Sequence, residues 1–174
     1  PKGYGAVVRA VQELKSVPVW IDESNNNTIS LIRAKAQRKI NECGKVGLVV
    51  VDYIGIMPIE KRIQSREQLI AYLSGNLKTM AKQLKFPVLV LSQLNRAVEQ
   101  RRDEHPLMSD LRESGSIEQD ADSVLLMYRD EYYTKESSKF KGLAEVEIAK
   151  NRHGETGRIY LQFDKRCGRF KDAD

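Results

Sequence analysis

The feature that most constrains the fold is a short, uninterrupted aliphatic run at residues 46–52, VGLVVVD. The run is too short for a helix and is apolar on both faces, as expected for a strand of a parallel sheet that is covered on both sides. Residues 87–91, PVLVL, repeat the pattern. Between the two runs, Ser65 and Gln68 form a capping box ahead of a helix that should reach about Lys85. Strands that alternate with helices in this way predict an α/β sheet.

Weaker patterns extend this organisation in both directions. Helical spacing of apolar residues predicts a helix over residues 7–14 and a second one over residues 29–40, which ends near Gly44. The β-prone run at residues 18–22 should place Trp20 in the core, and residues 124–128 should form another strand. Residues 145–150 and 158–163 alternate polar with apolar side chains and predict an antiparallel hairpin with a basic tip.

Composition excludes several classes of protein. With 174 residues, 41% apolar and 30% charged, the chain has the size and balance of one globular domain. No apolar stretch approaches the roughly 20 residues that span a bilayer, and no leader pattern is visible, so we expect a cytoplasmic protein without a membrane partner. Cys43 and Cys167 are expected to be free thiols, while His105 and His153 are expected at the surface without carboxylate partners.

Two polar residues follow the predicted buried strands. Asp52 ends the first aliphatic run, where open α/β sheets bind ligands, and could hold Mg²⁺ beside a nucleotide. Gln93 comes just after the second run, and its amide could hydrogen-bond a phosphate or an attacking water. The alternatives are an ordinary strand-terminal cap for Asp52 and a loop-backbone partner for Gln93.

Residues 96–120 are the least patterned region, and long loops of this kind are usually functional or mobile. The region and its flanks carry unusual segments: SQL and RAVE, SDLRESG, IEQDAD and YRDEYY. Together with VVVDY at residues 49–53 and the spaced AK, R, G and TG at residues 149–157, they resemble the replicative DNA helicases of the DnaB type.

The resemblance implies a RecA-like fold, with a mostly parallel sheet flanked by helices and an antiparallel hairpin at the end. It also implies an ATP-dependent helicase that needs Mg²⁺, forms a homo-hexamer and translocates on single-stranded DNA. A primase and a helicase loader are the implied partners, in a bacterium or in a phage-infected bacterial host.

Roles in nucleotide chemistry follow from the same resemblance. Asp52 looks like the Walker B carboxylate that orients Mg²⁺, and Gln93 looks like the sensor of nucleotide state. Lys150 and Arg152 resemble the pair that reaches the neighbouring subunit's nucleotide, with Arg152 as the arginine finger. Strand alternation points these two basic side chains the same way, although solvated residues at a hairpin tip would share that pattern.

The segment at residues 110–115 resembles the loop that grips single-stranded DNA. Arg112 offers a charged fork to phosphate, and Gly115 would let backbone N–H groups approach the strand. Glu113 would position the loop, because a direct contact with phosphate would be repulsive. Without the resemblance, a solvated turn would be the better interpretation. Arg101 and Arg102 are weaker candidates for contacts with the DNA backbone.

Two departures qualify the resemblance. No G-x-x-x-x-G-K-[ST] phosphate-binding loop occurs in the chain, so we expect residues 1–174 to be the carboxyl-terminal part of the motor domain and to be inactive alone. Residues 54–57, IGIM, replace the more usual Leu-Gln-Leu-Met, as in a divergent or phage-borne member. The alternatives are another RecA-like ATPase and a non-catalytic module that binds nucleic acid or a partner.

Overall fold

The computed structural model describes residues 3–59, 62–101, 103–111 and 115–173, except for the side chain of Arg96. These residues form five α-helices and six β-strands. The helices are α1 (Tyr4–Ser16), α2 (Ile29–Cys43), α3 (Arg66–Leu84), α4 (Gly115–Asp120) and α5 (Asp130–Thr134). The strands are β1 (Val49–Val51), β2 (Val88–Val90), β3 (Ser123–Tyr128), β4 (Leu143–Asn151), β5 (Gly157–Asp164) and β6 (Arg169–Asp172).

The strands form two sheets. β1 and β2 pair in parallel, with Val51 opposite Val90, and α3 supplies the crossover between them. β3, β4, β5 and β6 form an antiparallel sheet in chain order, which contains the predicted hairpin of β4 and β5. The sequence patterns missed β6, because its residues RFKD are all exposed and too few to show an alternation.

Local sequence signals explain where the two long helices begin and end. The Thr28 hydroxyl accepts the Leu31 N–H at the start of α2, and Gly44 ends that helix with a φ of 81°. At α3 the Ser65 hydroxyl accepts the Gln68 N–H over 3.1 Å, and the helix ends before Lys85. The predicted capping residues and helix ends are confirmed.

The main core lies between α3, α2 and the parallel strand pair. Leu73 and Met80 of α3 are fully buried and pack with Ala36 of α2 and Val51 of β1. A second cluster contains Leu111, Val124 and Leu126, which joins the end of the long loop to the antiparallel sheet.

Several predicted core positions are exposed instead. Residues 18–22 form no strand, Trp20 is 53% exposed, and Val50 of β1 is 54% exposed. Predicting Trp20 as core and the β1 strand as covered on both faces was therefore wrong for the described residues. Val50 is exposed because α2 and α3 cover one face of the parallel pair and no described element covers the other, whereas Trp20 lies outside the sheet and outside both core clusters. The Lys39 ammonium lies 4.9 Å from the centre of the Trp20 ring.

The prediction of free thiols is confirmed, because Cys43 and Cys167 are both exposed and unpaired by a disulfide. None of the helices in the described ranges is long and apolar enough to cross a bilayer.

Candidate functional site

Asp52 and Gln93 lie at the same edge of the parallel sheet, just beyond its carboxyl ends. Asp52 directly follows β1, and Gln93 comes three residues after β2. Backbone hydrogen bonds hold the two chain segments together past the strands, from Leu91 N to Val51 O over 2.9 Å and from Ile54 N to Leu91 O over 3.1 Å. The edge is where open α/β sheets bind ligands, so the geometry is compatible with both predicted roles.

Asp52 has a carboxylate that is available to a ligand. Its side chain is exposed and has no hydrogen-bond or ion-pair partner among the described residues. No group of three His, Cys, Asp or Glu residues that could hold a metal occurs in the described ranges. Magnesium in nucleotide sites commonly takes one or two carboxylates and completes its shell with phosphate oxygens and water. The donor set at this edge therefore fits Mg²⁺ that is held largely by a nucleotide.

The segment that follows Gln93 is tied to the segment that precedes Arg112. Leu94 and Leu111 form an isolated antiparallel bridge, and Leu111 is also part of the second core cluster. Gln93 is thus one residue from this bridge on one side, and Arg112 is one residue from it on the other. The Leu94–Leu111 bridge therefore joins the two chain segments that lead to the predicted nucleotide sensor and to the predicted DNA loop, and we call this bridge the shared stem.

The predicted DNA loop falls largely outside the described residues. This applies to Arg112 and Glu113. Gly115 is described, is exposed, and begins α4. A Cβ built on it meets no atom within 4 Å, so the described part of the chain itself does not require glycine at this position. A glycine at this position could instead allow an external ligand to approach the backbone closely.

A partly buried ion pair closes the base of the loop between the two bridge residues. The Arg101 guanidinium donates to both carboxylate oxygens of Asp110, over 3.0 and 2.6 Å, and to the His105 carbonyl over 2.8 Å. The same carboxylate accepts the Leu107 N–H over 2.7 Å. Arg101, a weaker candidate for contacts with the DNA backbone, uses its guanidinium fork inside the protein. The sequence contained no signal for this pair, whose members are nine residues apart in a loop.

His105 has carboxylate partners, contrary to the prediction. Its Nδ1 lies 2.6 Å from Asp103 Oδ1, and its Nε2 lies 3.7 Å from Glu145 Oε1. The hydrogen bond from His105 lowers the pKa of Asp103. The His105 ring also lies 4.0 Å from Tyr128, which in turn stacks on Tyr133 at 5.4 Å. Tyr133 thus packs against another aromatic side chain of the protein. Burial raises the pKa of Tyr128 to about 12.

Lys150 and Arg152 point to the same side of the hairpin, as strand alternation predicts. The Lys150 ammonium donates to the Glu118 carbonyl over 2.5 Å. The Arg152 guanidinium donates to the Gln119 carbonyl over 3.3 Å and to Asp122 Oδ1 over 3.1 Å. Both side chains therefore lie at the carboxyl-terminal end of α4, the helix that begins at the end of the predicted DNA loop.

Asp122 is a residue of this region that the sequence patterns did not single out. It contacts Arg152 of the hairpin and also accepts a hydrogen bond from the Lys78 ammonium of α3. The hydrogen bond from Lys78 is the main reason why the pKa of Asp122 is lowered. The partners are 44 and 30 residues away in sequence, so no local pattern could have revealed them.

The sequence matches a known protein family. The sequence model of the DnaB-like helicase C terminal domain matches residues 2–172, almost the entire chain. The chain belongs to this family. The matched part of the DnaB-like domain includes both regions described above, the sheet edge at Asp52 and the carboxyl-terminal end of α4.

Curated relatives of the DnaB-like domain include bacterial replicative helicases. The chain is 43% identical to the replicative DNA helicase DnaB of Geobacillus stearothermophilus, covering 100% of the chain and 38% of that protein. It is 42% identical to the replicative DNA helicase DnaC of Bacillus subtilis (strain 168), covering 98% of the chain and 37% of that protein. The chain thus spans less than two fifths of the length of these relatives.

Solved structures show the same fold. One of them, described as an ATPase domain, superimposes with a TM-score of 0.95 at 37% identity, and the match covers 100% of the chain and 61% of that structure. A DnaB-like replicative helicase whose structure is described with its interactions with primase gives the same TM-score and identity over 42% of its length. The predicted RecA-like α/β class is confirmed by these neighbours, although the described residues contain just one parallel strand pair.

Proposed function

We propose that the chain is part of an ATP-driven replicative helicase that translocates on single-stranded DNA and unwinds duplex at the fork. In this proposal, residues 1–174 are the carboxyl-terminal part of the RecA-like motor domain. The observation that carries the proposal is the arrangement of the described residues on either side of Arg112 in the sequence. Before it, Leu111 bridges to Leu94 beside Gln93; after it, α4 accepts hydrogen bonds from Lys150 and Arg152 near its carboxyl-terminal end.

ATP would bind at the carboxyl edge of the parallel strands. Asp52, exposed and without a partner among the described side chains, would hold Mg²⁺ beside the phosphates. The ion, when bound, neutralises negative charge on the phosphate oxygens. Gln93 would hydrogen-bond the γ-phosphate or the attacking water, and its neighbour Leu94 would pass any displacement to Leu111.

The second basic site would act on a neighbouring subunit. Lys150 and Arg152 lie far along the chain from Asp52 on the antiparallel hairpin, and a homo-hexamer would bring them to the nucleotide of the next protomer. An arginine supplied from outside typically contributes about 10³- to 10⁵-fold in rate by stabilising charge on the γ-phosphate.

Single-stranded DNA would contact the segment between these two sites. Arg112 would pair with a phosphate, Gly115 would permit close approach of the strand, and Glu113 would position the loop. Force generation then requires that DNA contacts move with the nucleotide state, and the shared stem of Leu94 and Leu111 provides the mechanical connection.

The partners we propose follow from the family. One structural neighbour is described as interacting with primase, so primase is a proposed partner of the complete protein, together with a helicase loader. The bacterial relatives support a place in the bacterial cytoplasm, for a protein of host or phage origin.

The trans-acting role is tested by Arg152→Ala in the full-length protein that contains this chain. We expect ATP turnover to be abolished while binding of ATP, measured with a fluorescent analogue, is retained. Arg166→Ala is the matched control, because this arginine is exposed and pairs with its neighbour Asp164. Normal turnover in Arg152→Ala would contradict the assignment.

The DNA-binding role is tested by Arg112→Ala. Loss of one phosphate contact should weaken single-stranded DNA binding and reduce the slope of log K against log salt by about 0.7. Arg38→Ala, on the exposed side of α2, should leave the slope unchanged. An unaltered slope in Arg112→Ala would show that the DNA contacts lie elsewhere.

A further inference from the structure

We propose that Asp122, anchored by Lys78, is a positioning residue that aims Arg152 toward the nucleotide of a neighbouring subunit. The proposal rests on the proposed function, since it assumes that Arg152 acts in trans. It adds an acidic residue and an anchoring lysine, which touch neither nucleotide nor DNA but act through the arginine.

Asp122 contacts Arg152 twice. The Arg152 N–H donates to the Asp122 carbonyl over 2.8 Å, and the Arg152 guanidinium donates to Asp122 Oδ1 over 3.1 Å. The first contact continues the pairing of β3 with β4, in which Ser123 lies opposite Asn151. Backbone and side chain of the arginine are thus oriented by the same residue.

The other carboxylate oxygen of Asp122 is bound by a residue of α3. Lys78 of α3 donates to Asp122 Oδ2, and the neighbouring Leu77 is buried in the main hydrophobic cluster. The Lys78 side chain is itself mostly covered. Through Asp122 and Lys78, the position of the Arg152 guanidinium therefore depends on α3. The same helix packs against β1, the strand that Asp52 follows.

The contacts orient the guanidinium without occupying all of its donors. The side-chain hydrogen bonds of Arg152 to described residues go to Asp122 Oδ1 and the Gln119 carbonyl, whereas a guanidinium has five N–H donors. Both members of the Arg152–Asp122 pair are about half exposed, at 47% of each side chain. Exposed pairs of this kind are weak, so the contact with Asp122 orients Arg152 without holding it rigidly, and the unused N–H donors can contact a phosphate.

The Gln119 carbonyl contact also gives the arginine a connection to DNA. Gln119 belongs to α4, which begins at Gly115 of the predicted DNA loop. Because the carbonyls at the other end of α4 accept hydrogen bonds from Lys150 and Arg152, a shift of the loop would be felt by both basic side chains. Asp122, bound by Lys78 of α3, would keep its position while α4 shifts.

The test compares Asp122→Ala, Asp122→Asn and Asp164→Ala in the full-length protein. Asp164→Ala is the matched control, because it removes another exposed aspartate–arginine pair, with Arg166, at 2.7 Å. We expect Asp122→Ala to lower kcat roughly 10- to 100-fold, the size expected from misplacing a catalytic group by about 1 Å. Asp122→Asn, which keeps one acceptor oxygen, should lose less, and Asp164→Ala should lose nothing.

A purely structural role is separated by three further readouts. KM for ATP, the Kd for single-stranded DNA and the thermal midpoint should stay unchanged in Asp122→Asn. In an Arg152→Ala background, Asp122→Ala should not lower the residual single-turnover rate any further, because the residue through which it acts is gone. A further loss there, a parallel change in KM or Kd, or a rise in kcat would each overturn the proposal.

The outcomes also separate this proposal from the proposed function. If Arg152→Ala retains full turnover, the trans role of the arginine fails and the role of Asp122 fails with it. If Arg152→Ala abolishes turnover but Asp122→Ala behaves like Asp164→Ala, the proposed function stands and the positioning role alone is refuted.

Discussion

Replacing Arg101 with methionine should open the loop that connects Gln93 to the proposed DNA-binding segment. Methionine keeps most of the volume of the aliphatic stem but removes the guanidinium fork. The Asp110 carboxylate, in a residue only 8% exposed, would keep the Leu107 N–H and lose both bonds from Arg101. A buried charge would then be left largely uncompensated.

The size of the effect follows from the burial of the two partners. Breaking a fully buried ion pair by removing one partner costs about 3–5 kcal/mol. Here the Arg101 side chain is 32% exposed, so water can partly replace it at Asp110, and we expect about 2–3 kcal/mol. That free energy corresponds to a change of roughly 30- to 150-fold in the equilibrium for local opening.

Amide hydrogen exchange measures this opening directly. The Asn95 N–H donates to the Asp110 carbonyl over 2.8 Å, and the Leu107 N–H donates to the Asp110 carboxylate. Both amides should exchange roughly 30- to 150-fold faster in Arg101→Met of the full-length protein, whereas amides of the α3 core should not change. Single-stranded DNA binding should weaken as well, because the Leu94–Leu111 bridge is part of the same loop.

Arg38→Met is the matched control for this experiment. Arg38 pairs with Glu42 across one turn of α2 at 3.6 Å, and its side chain is 69% exposed. Such a pair contributes roughly 0.3–0.5 kcal/mol, so exchange should change less than about threefold. Equal exchange rates in Arg101→Met and Arg38→Met would refute the idea that the Arg101–Asp110 pair holds the loop closed.

Two further predictions concern backbone conformation and pH. Gly44→Ala should destabilise the protein by about 1 kcal/mol in urea unfolding, because Gly44 has a φ of 81° that alanine adopts poorly, whereas Gly47→Ala should be nearly neutral. A neutral Gly44→Ala would contradict the assigned helix end. Tyr128, whose pKa burial raises to about 12, contributes stability that is present below its unfolded pKa near 10 and is lost as the pH rises toward 12. Absorbance at 295 nm should show this late ionisation, and Tyr128→Phe should remove it; an unchanged titration would rule out the buried phenol.

Much of the local structure and the site edge could be predicted from the sequence. The Ser65 cap on the Gln68 N–H, the glycine that ends α2 and the aliphatic runs of β1 and β2 all act over a few residues, so a single sequence displays them. The placement of Asp52 and Gln93 at one edge followed from the rule that parallel strands end together. The helicase family could be identified because its motifs are contiguous in the chain.

Burial of the amino-terminal region was decided by tertiary structure. Trp20 and Val50 are apolar, and apolar patterns predict an interior position, but exposure depends on whether another element packs over them. In the described residues, α2 and α3 cover one side of β1 and nothing covers the other. Hydropathy indicates which side chains would be stabilised by burial, but it does not indicate whether another helix or strand packs over them.

The connections between the sites were likewise decided by tertiary structure. Arg101 with Asp110, and Lys78 with Asp122 and Arg152, are charged residues in mixed-charge segments where a solvated surface was equally reasonable. Which charges meet depends on the register of β3 with β4 and on the packing of α4 along α3, and these are set by contacts among residues distant in sequence. Motifs along the chain identified the helicase family and the candidate residues, whereas only the folded chain showed which acidic side chain pairs with which basic one.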